Sequence, residues 1–312
     1  METLAAPFRL FLEDPESYLW IATMGFLIAA SCGMVGAFLV IRKSALLGDA
    51  ISHSVLPGIV VAFLVTGSRA TWGMMAGAIC AGMLATLAID TVRRTTRIKE
   101  DAAIGIVFSF FFAVGVILMT RYASKVDLDL DCVLYGEIGF VALEPFVEVG
   151  GIPIAPEPVV RSALILLGAV ALIRLFFKEL LVCSFDGAYA NTIGVSSVGT
   201  HYLLVVVLSI TVVSAFESVG AVLVVAMLIL PGSTAYLFCD RLPRLLFSII
   251  PISSMTSVLG VYGSLLFDCS PAGAMVVAAF ALFVLAWFLA PGQGLVPQWR
   301  RRWGNEAMVA PS

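Results

Sequence analysis

The sequence predicts an all-α membrane protein, a polytopic helix bundle with about eight to nine spans. Its residues are 61% hydrophobic and 12% charged, whereas a soluble domain carries roughly 25% charged residues. Apolar runs of about 20 residues recur from end to end, the length that a helix needs to cross the hydrocarbon core. These runs are continuous rather than alternating, so we expect helices, not barrel strands, to satisfy the backbone in lipid.

Nine candidate spans and their flanking charges predict the orientation. Thirteen of the 18 Lys and Arg residues lie on or beside alternate connections, which the positive-inside rule makes cytoplasmic. The C-terminus is then inside and, with nine spans, the N-terminus outside, although a short or re-entrant segment would change the count. The spans are 18–41, 50–66, 72–92, 102–121, 161–178, 201–217, 219–238, 244–267 and 272–290.

The chain is expected to form one membrane domain, residues 18–291. An outward segment, 1–17, precedes it without the pattern of a cleavable signal peptide, and a cytoplasmic tail, 292–312, follows it. The long outward connection, 122–160, carries seven acids and no Lys or Arg from residue 126 onward. It predicts an acidic vestibule or docking surface that concentrates cations. The second long connection, 179–200, is predicted on the inward side.

Several patterns exclude other kinds of site. "DLDLDC" at 127–132 fails as a calcium loop, since Cys132 stands where glycine is needed. The six cysteines show no C-x-x-C spacing and are mostly expected to be buried, with a bridge between Cys132 and Cys269 as an open alternative. Neither a catalytic motif nor a phosphate-binding loop is present, so we expect no enzyme. The basic residues are too few for nucleic-acid binding.

Asp49 and His53 interrupt the apolar sequence "LLGDAISHSVLPG" at 46–58. Their i, i+4 spacing places both side chains on one helix face, with Cβ atoms about 5–6 Å apart. A carboxylate with an imidazole suits Mn, Fe or Zn better than Mg or Ca. Pro57 continues this face and cannot donate to the His53 carbonyl, so it predicts a helix kink. Because ionisable groups in a span are costly, the pair predicts a metal-pathway site.

The same spacing has a structural explanation. Near Arg42 and Lys43, Asp49 would lie at the cytoplasmic interface and serve as an N-terminal helix acid. His53 would then be a hydrogen-bonded interior histidine. The residues alone leave both interpretations open.

Three further residues interrupt predicted spans. Glu217 lies where two spans meet, beside Gly220, and is either a further metal-pathway acid or an interfacial acid facing outside water. His201 begins a span beside the inward connection, which favours an interfacial position over metal ligation. Pro231 predicts a second helix kink, in "LILPGSTAYL" at 228–237.

Five stretches, in order, together resemble the membrane permeases of ABC importers for zinc, manganese and iron, the ABC-3 family. The D-x-x-S-H-x-x-L-P-G pattern and the later S-V-G-x-x-L-V pattern are specific in combination. The stretches are "LLGDAISHSVLPGIVVAFL" (46–64), "RRTTRIKEDAAIGIVFSFFFAVGVIL" (93–118), "DLDCVLYGEI" (129–138), "SFDGAYANTIGVS" (184–196) and "SVGAVLVVAMLILPGSTAYL" (218–237).

The resemblance implies a type II ABC importer permease fold and ATP-driven import of Mn, Zn or Fe across the cytoplasmic (inner) membrane. It implies a second permease chain, identical or homologous, two cytoplasmic ABC ATPase subunits and an extracytoplasmic metal-binding protein as partners. Asp49 and His53 would be pathway ligands of the transported ion, with no permanently bound cofactor. The inward segment 184–197 would couple to the ATPase, through Asp186, Gly187, Ala190 and Gly194.

Two alternative functions make different predictions. An importer of a metal chelate, such as a siderophore or cobalamin, would have a wide apolar pathway without ion ligands. A stand-alone secondary cation transporter would need inverted repeats and intramembrane acids in both halves, which the sequence lacks.

Overall fold

Helices form nearly all of the described protein. The computed structural model describes residues 14–67, 71–122, 138–149, 152–290 and 294. Its α helices are α1 (Pro15–Ile41), α2 (Ala45–Ser54), α3 (Leu56–Thr66), α4 (Thr71–Thr95), α5 (Glu100–Tyr122), α6 (Glu157–Leu175), α7 (Phe177–Phe185), α8 (Gly187–Thr192), α9 (Ser197–Val219), α10 (Ala221–Phe238), α11 (Leu242–Phe267) and α12 (Pro271–Leu289).

The predicted all-α membrane class is confirmed. Eight helical stretches of the described residues are long and apolar enough to cross a membrane. Helices α2 and α3 together form one of them, Ala45–Thr66, and Val222–Phe238 of α10 is a shorter apolar helix. The nine predicted runs therefore correspond to eight long spans and one shorter helix.

The first helix begins three residues before the predicted span. Asp14 caps it, because its carboxylate accepts a hydrogen bond from the Ser17 N–H at 3.3 Å, and Pro15 suits the first helical position. The rest of the predicted N-terminal segment, nearly all of the tail, and the stretch 127–132 with Cys132 lie outside the described residues.

The connection predicted to face outward contains a β-hairpin that the sequence analysis does not predict. A 3-10 helix, Ile138–Leu143, leads into β1 (Phe146–Val149), which pairs antiparallel with β2 (Ile152–Pro156). The Trp20 ring meets the Phe146 ring edge-on at 6.1 Å between centroids. The hairpin is thereby packed against the first turns of α1.

Polar contacts connect helices at both ends of the bundle. At the hairpin end, Arg161 of α6 donates to Ser218 Oγ of α9 at 3.3 Å. At the opposite end, Arg42 follows α1 and donates from Nε to Ser184 Oγ of α7 at 3.1 Å. Burial lowers the pKa of the Arg42 guanidinium from its ordinary value, since the low-dielectric surroundings disfavour its charge.

Close helix packing at the centre depends on small residues. Helix α1 packs against α10 and α11 and buries most of its length. A Cβ at Gly36 would overlap the Leu228 carbonyl of α10, and one at Gly33 would lie 3.0 Å from Pro231 Cβ. Small residues let backbones approach in this way inside membrane bundles. Pro231 lies inside the uninterrupted helix α10.

Candidate functional site

Helix α2 brings the side chains of Asp49 and His53 together. His53 Nε2 lies 3.5 Å from Asp49 Oδ1, and the two side chains are 23% and 37% exposed. The i, i+4 spacing thus produces a carboxylate–imidazole pair on one face of α2. In the single chain this face is partly exposed.

The pair lies within the span, not at its first turn. Asp49 is the fifth and His53 the ninth of the 22 residues of Ala45–Thr66. The first turn of α2 contains no acid, because Asp49 is the fifth residue of the helix, and the interpretation of Asp49 as an interfacial acid stays a prediction. His53 lies near the middle of the span, with Asp49 one turn closer to Arg42.

A one-residue interruption follows the pair. Helix α2 ends at Ser54, Val55 is a turn, and Pro57 occupies the first turn of α3. The Val55 N–H still donates to the Ile51 carbonyl at 3.1 Å, and the Ile59 N–H donates to the Val55 carbonyl at 3.1 Å. The span is therefore interrupted directly beyond His53 without being ended.

Two phenylalanines of α5 pack against the His53 imidazole. The His53 ring centroid lies 5.3 Å from that of Phe108 and 5.6 Å from that of Phe112, at interplanar angles of 56° and 84°. The two phenyl rings lie 6.0 Å apart. One side of the site is therefore apolar, and Asp49 supplies the charge on the other.

The donor set in one chain is small. Among the described residues, no group of three or more His, Cys, Asp and Glu side chains is placed to hold one metal ion. Closed structural zinc sites use four protein ligands. If Asp49 and His53 are the pathway ligands that the sequence predicts, two donors suit an ion that is held and then released.

The assignment of Glu217 to the metal pathway stays a prediction. Its backbone lies in the last turns of α9, before Gly220, whose φ of +78° ends the helix. The position of its side chain lies outside the described part of the chain.

His201 belongs to a charged cluster at the Arg42 end. Its Nε2 lies 4.0 Å from Asp90 Oδ2, and Arg93 lies 3.8 Å from Asp90 and 2.8 Å from Glu100. These side chains and Arg42 line a cavity of about 240 Å³. Arg42 and Arg93 lie beside the His201–Asp90 pair and repel a cation, which agrees with an interfacial role for His201.

The predicted coupling segment contains a short helix, α8, that Asp186 caps. The Asp186 carboxylate accepts a hydrogen bond from the Tyr189 N–H at 2.9 Å. Gly194, at a φ of +85°, follows the helix, and a Cβ at Gly187 would lie 2.8 Å from Ser197 Oγ. Ala190 is fully buried inside the chain, so its side chain does not belong to a surface that meets another subunit. The coupling role of Asp186, Gly187 and Gly194 stays a prediction, since Asp186 and Gly194 are exposed and Gly187 is partly exposed.

The exposed face of this segment consists of residues that the sequence analysis missed. Phe185, Tyr189 and Ile193 recur every four residues and are 68%, 57% and 50% exposed. Their spacing was visible in the sequence. It carried no signal there because apolar residues are ordinary in a chain that is 61% hydrophobic.

Comparison with known proteins identifies the family. The model of the ABC 3 transport family matches residues 16–290. The chain belongs to the ABC 3 transport family. The family resemblance predicted from the five sequence stretches is thereby confirmed.

Three relatives in this family differ in the metal for which they are named. The manganese transport system membrane protein MntD of Bacillus subtilis is 40% identical, over 89% of this chain and 93% of its own. The zinc transport system membrane protein TroD of Treponema pallidum is 38% identical, over 88% and 75%. The chelated iron transport system membrane protein YfeC of Yersinia pestis is 36% identical, over 95% and 92%.

A solved structure has the same fold. The structure described as PsaBC from Streptococcus pneumoniae in complex with Fab contains a chain that is 33% identical to this one. It covers 92% of this chain and 96% of its own, with a TM-score of 0.75. This member of the ABC 3 transport family therefore shares its fold with a chain of the PsaBC structure.

Proposed function

We propose that this chain is the permease subunit of an ATP-driven importer that moves a divalent transition-metal ion, Mn, Zn or Fe, across the cytoplasmic (inner) membrane. The Asp49–His53 pair inside a span, with His53 near its middle, is the observation that carries the proposal. Relatives named for manganese, zinc and chelated iron transport support it. ATP hydrolysis belongs to separate subunits, since the sequence has no phosphate-binding loop.

The chemistry of the pair suits an ion in passage. The Asp49 carboxylate offsets part of the charge of a divalent cation in a low-dielectric span, and the His53 imidazole favours a borderline metal over Mg or Ca. The ion is the substrate and no resident cofactor is needed. Asp and imidazole accept Mn, Fe and Zn alike, so the pair defines a class of metals and not one metal.

A second permease chain, identical or homologous, completes the pathway in this proposal. The exposed face of Asp49 and His53 supports it, because a facing copy would cover the pair and raise the donors from two to four. Other exposed apolar helix faces, such as that of α6, would contact lipid. Burying charged ligands between two chains also shields the ion from water.

Two cytoplasmic ABC ATPases would meet the α8 segment. The exposed side chains of Phe185, Tyr189 and Ile193 supply an apolar surface for an ATPase groove. The bond from Arg42 to Ser184 connects α7, which leads into α8, to the connection that leads into α2. Movement of α8 would therefore reach the helix that carries Asp49 and His53.

The hairpin end would face outward and receive an extracytoplasmic metal-binding protein. Phe140, Leu143 and Ile154 are exposed apolar side chains there, beside Glu144 and Glu148. The distribution of Lys and Arg places the opposite end, the C-terminus included, in the cytoplasm.

Uptake by the whole complex in proteoliposomes tests the proposal. We expect ATP-dependent uptake of free Mn²⁺, Zn²⁺ or Fe²⁺ that falls at least about tenfold in Asp49→Asn and His53→Ala, since one lost ligand commonly costs that much affinity. Asp240→Asn, which changes an exposed aspartate in the connection between α10 and α11, is the matched control and should transport normally. Unchanged uptake in both site variants would contradict the assignment.

The same vesicles separate the alternatives. A chelate importer would transport only the complexed metal and would tolerate both site substitutions. A secondary transporter would take up metal without the ATPase subunits.

A further inference from the structure

We infer that Phe108 and Phe112 of α5 are positioning residues for the transported ion, because they hold the His53 imidazole in the orientation that ligates it. The inference rests on the proposed function, and it adds α5 to a site that otherwise lies on α2. Both phenyl rings lie within 5.6 Å of the imidazole centroid.

The imidazole lacks the usual polar support of a metal ligand. Metal-binding histidines normally donate their second ring N–H to a carboxylate, carbonyl or water, which fixes the ring. Among the described residues, Asp49 is the one polar side chain recorded against the His53 ring, and it contacts Nε2 at 3.5 Å. The χ2 rotation of histidine is broad, so packing has to select the ring orientation.

The two phenyl rings supply that packing from different directions. Phe112 meets the imidazole nearly perpendicular, at 84°, which is the edge-to-face arrangement that aromatic pairs favour. Phe108 meets it at 56°. A ring confined in both ways keeps Nε2 directed toward Asp49.

The register of α5 against α2 and α3 is fixed beside the same face. Gly115 lies one turn beyond Phe112, and a Cβ there would be 3.0 Å from both Leu56 Cδ2 and Pro57 Cδ. The backbone of α5 therefore approaches the interruption after His53 closely. This contact sets the position of α5 along α2, and thereby where Phe108 and Phe112 meet the imidazole.

Saturation kinetics of Mn²⁺ uptake by the whole complex test the inference. We expect Phe108→Ala and Phe112→Ala to raise the half-saturating Mn²⁺ concentration about tenfold, in the range typical of losing an orienting partner, with the maximal rate within about twofold. Phe110→Ala is the control, because Phe110 lies on the same helix, is 64% exposed and has its ring contact with Phe111. It should keep both constants.

Conservative variants separate ring packing from a general need for volume. Phe108→Tyr keeps the flat ring and should restore wild-type half-saturation, whereas Phe108→Leu keeps apolar volume and should not. The inference is overturned if Phe108→Leu behaves as wild type, if Phe110→Ala shares the defect, or if the maximal rate falls while half-saturation stays unchanged. His53→Ala in the same assay tests the proposed function separately, because normal uptake by this variant would show that His53 is not a pathway ligand.

Discussion

Asp49 and His53 show how far residue spacing predicts a site. The i, i+4 pattern predicted a shared helix face, and the 3.5 Å contact follows from α-helix geometry alone. Their depth could not be predicted, because Arg42 and Lys43 lie only a few residues away in sequence. The fold places both residues inside the helical stretch Ala45–Thr66, because α2 starts at Ala45 after a tight turn in which Lys43 has a φ of +58°.

Residues that act through tertiary contacts were beyond sequence reasoning. Phe108 and Phe112 lie more than 50 positions from His53, in a run where nearly every neighbour is also apolar. Ala190 shows the converse problem. Its small size suggested a contact surface for another subunit, but its side chain is buried inside the chain. Burial in a bundle depends on which helices meet, which one chain's composition does not encode.

At this scale, Tyr189→Ala is predicted to weaken binding of the ATPase subunits. The substitution removes a half-exposed aromatic side chain from the α8 surface, and buried interface aromatics commonly contribute about 2 kcal/mol. Co-purification of the ATPase at increasing salt measures the effect. Phe140→Ala, an exposed aromatic at the hairpin end, is the control. Equal retention of the ATPase by both variants would contradict the role of this surface.

At the scale of elements, the sequence predicted the spans well and their junctions less well. Continuous apolar runs identify helices because lipid leaves few alternatives for the backbone. The β-hairpin was missed because β1 and β2 are only four and five residues long. The interruption at Val55 was predictable from Pro57, whose ring cannot continue the hydrogen-bond ladder.

Packing of α1 against α10 is predicted to depend on Gly36. Gly36→Ala places a methyl group into the Leu228 carbonyl, and overpacking of this kind costs about 1–3 kcal/mol. Gly168→Ala on α6 is the matched control, since a Cβ there meets no atom within 4 Å and alanine favours a helix. Thermal unfolding in detergent measures both. A melting temperature for Gly36→Ala equal to that of Gly168→Ala would contradict the packing account.

At the scale of the whole molecule, the chain presents its polar pair on an open face and its charged cluster at one end. This arrangement explains why the permease is expected to work as one of two facing chains. The sequence predicted the two ends from their charges, since Lys and Arg concentrate on alternate connections. It could not predict the facing surface, because a partner chain leaves no mark on helix periodicity in an apolar sequence.

The central claim is that His53 ligates the transported ion, and pulsed electron paramagnetic resonance of Mn²⁺ tests it most directly. The chain has two histidines, so an untagged permease in nanodiscs contains two imidazole sources. We predict a hyperfine coupling between Mn²⁺ and an imidazole nitrogen that disappears in His53→Ala and persists in His201→Ala. A coupling that survives in His53→Ala, or that disappears in His201→Ala, would contradict the account.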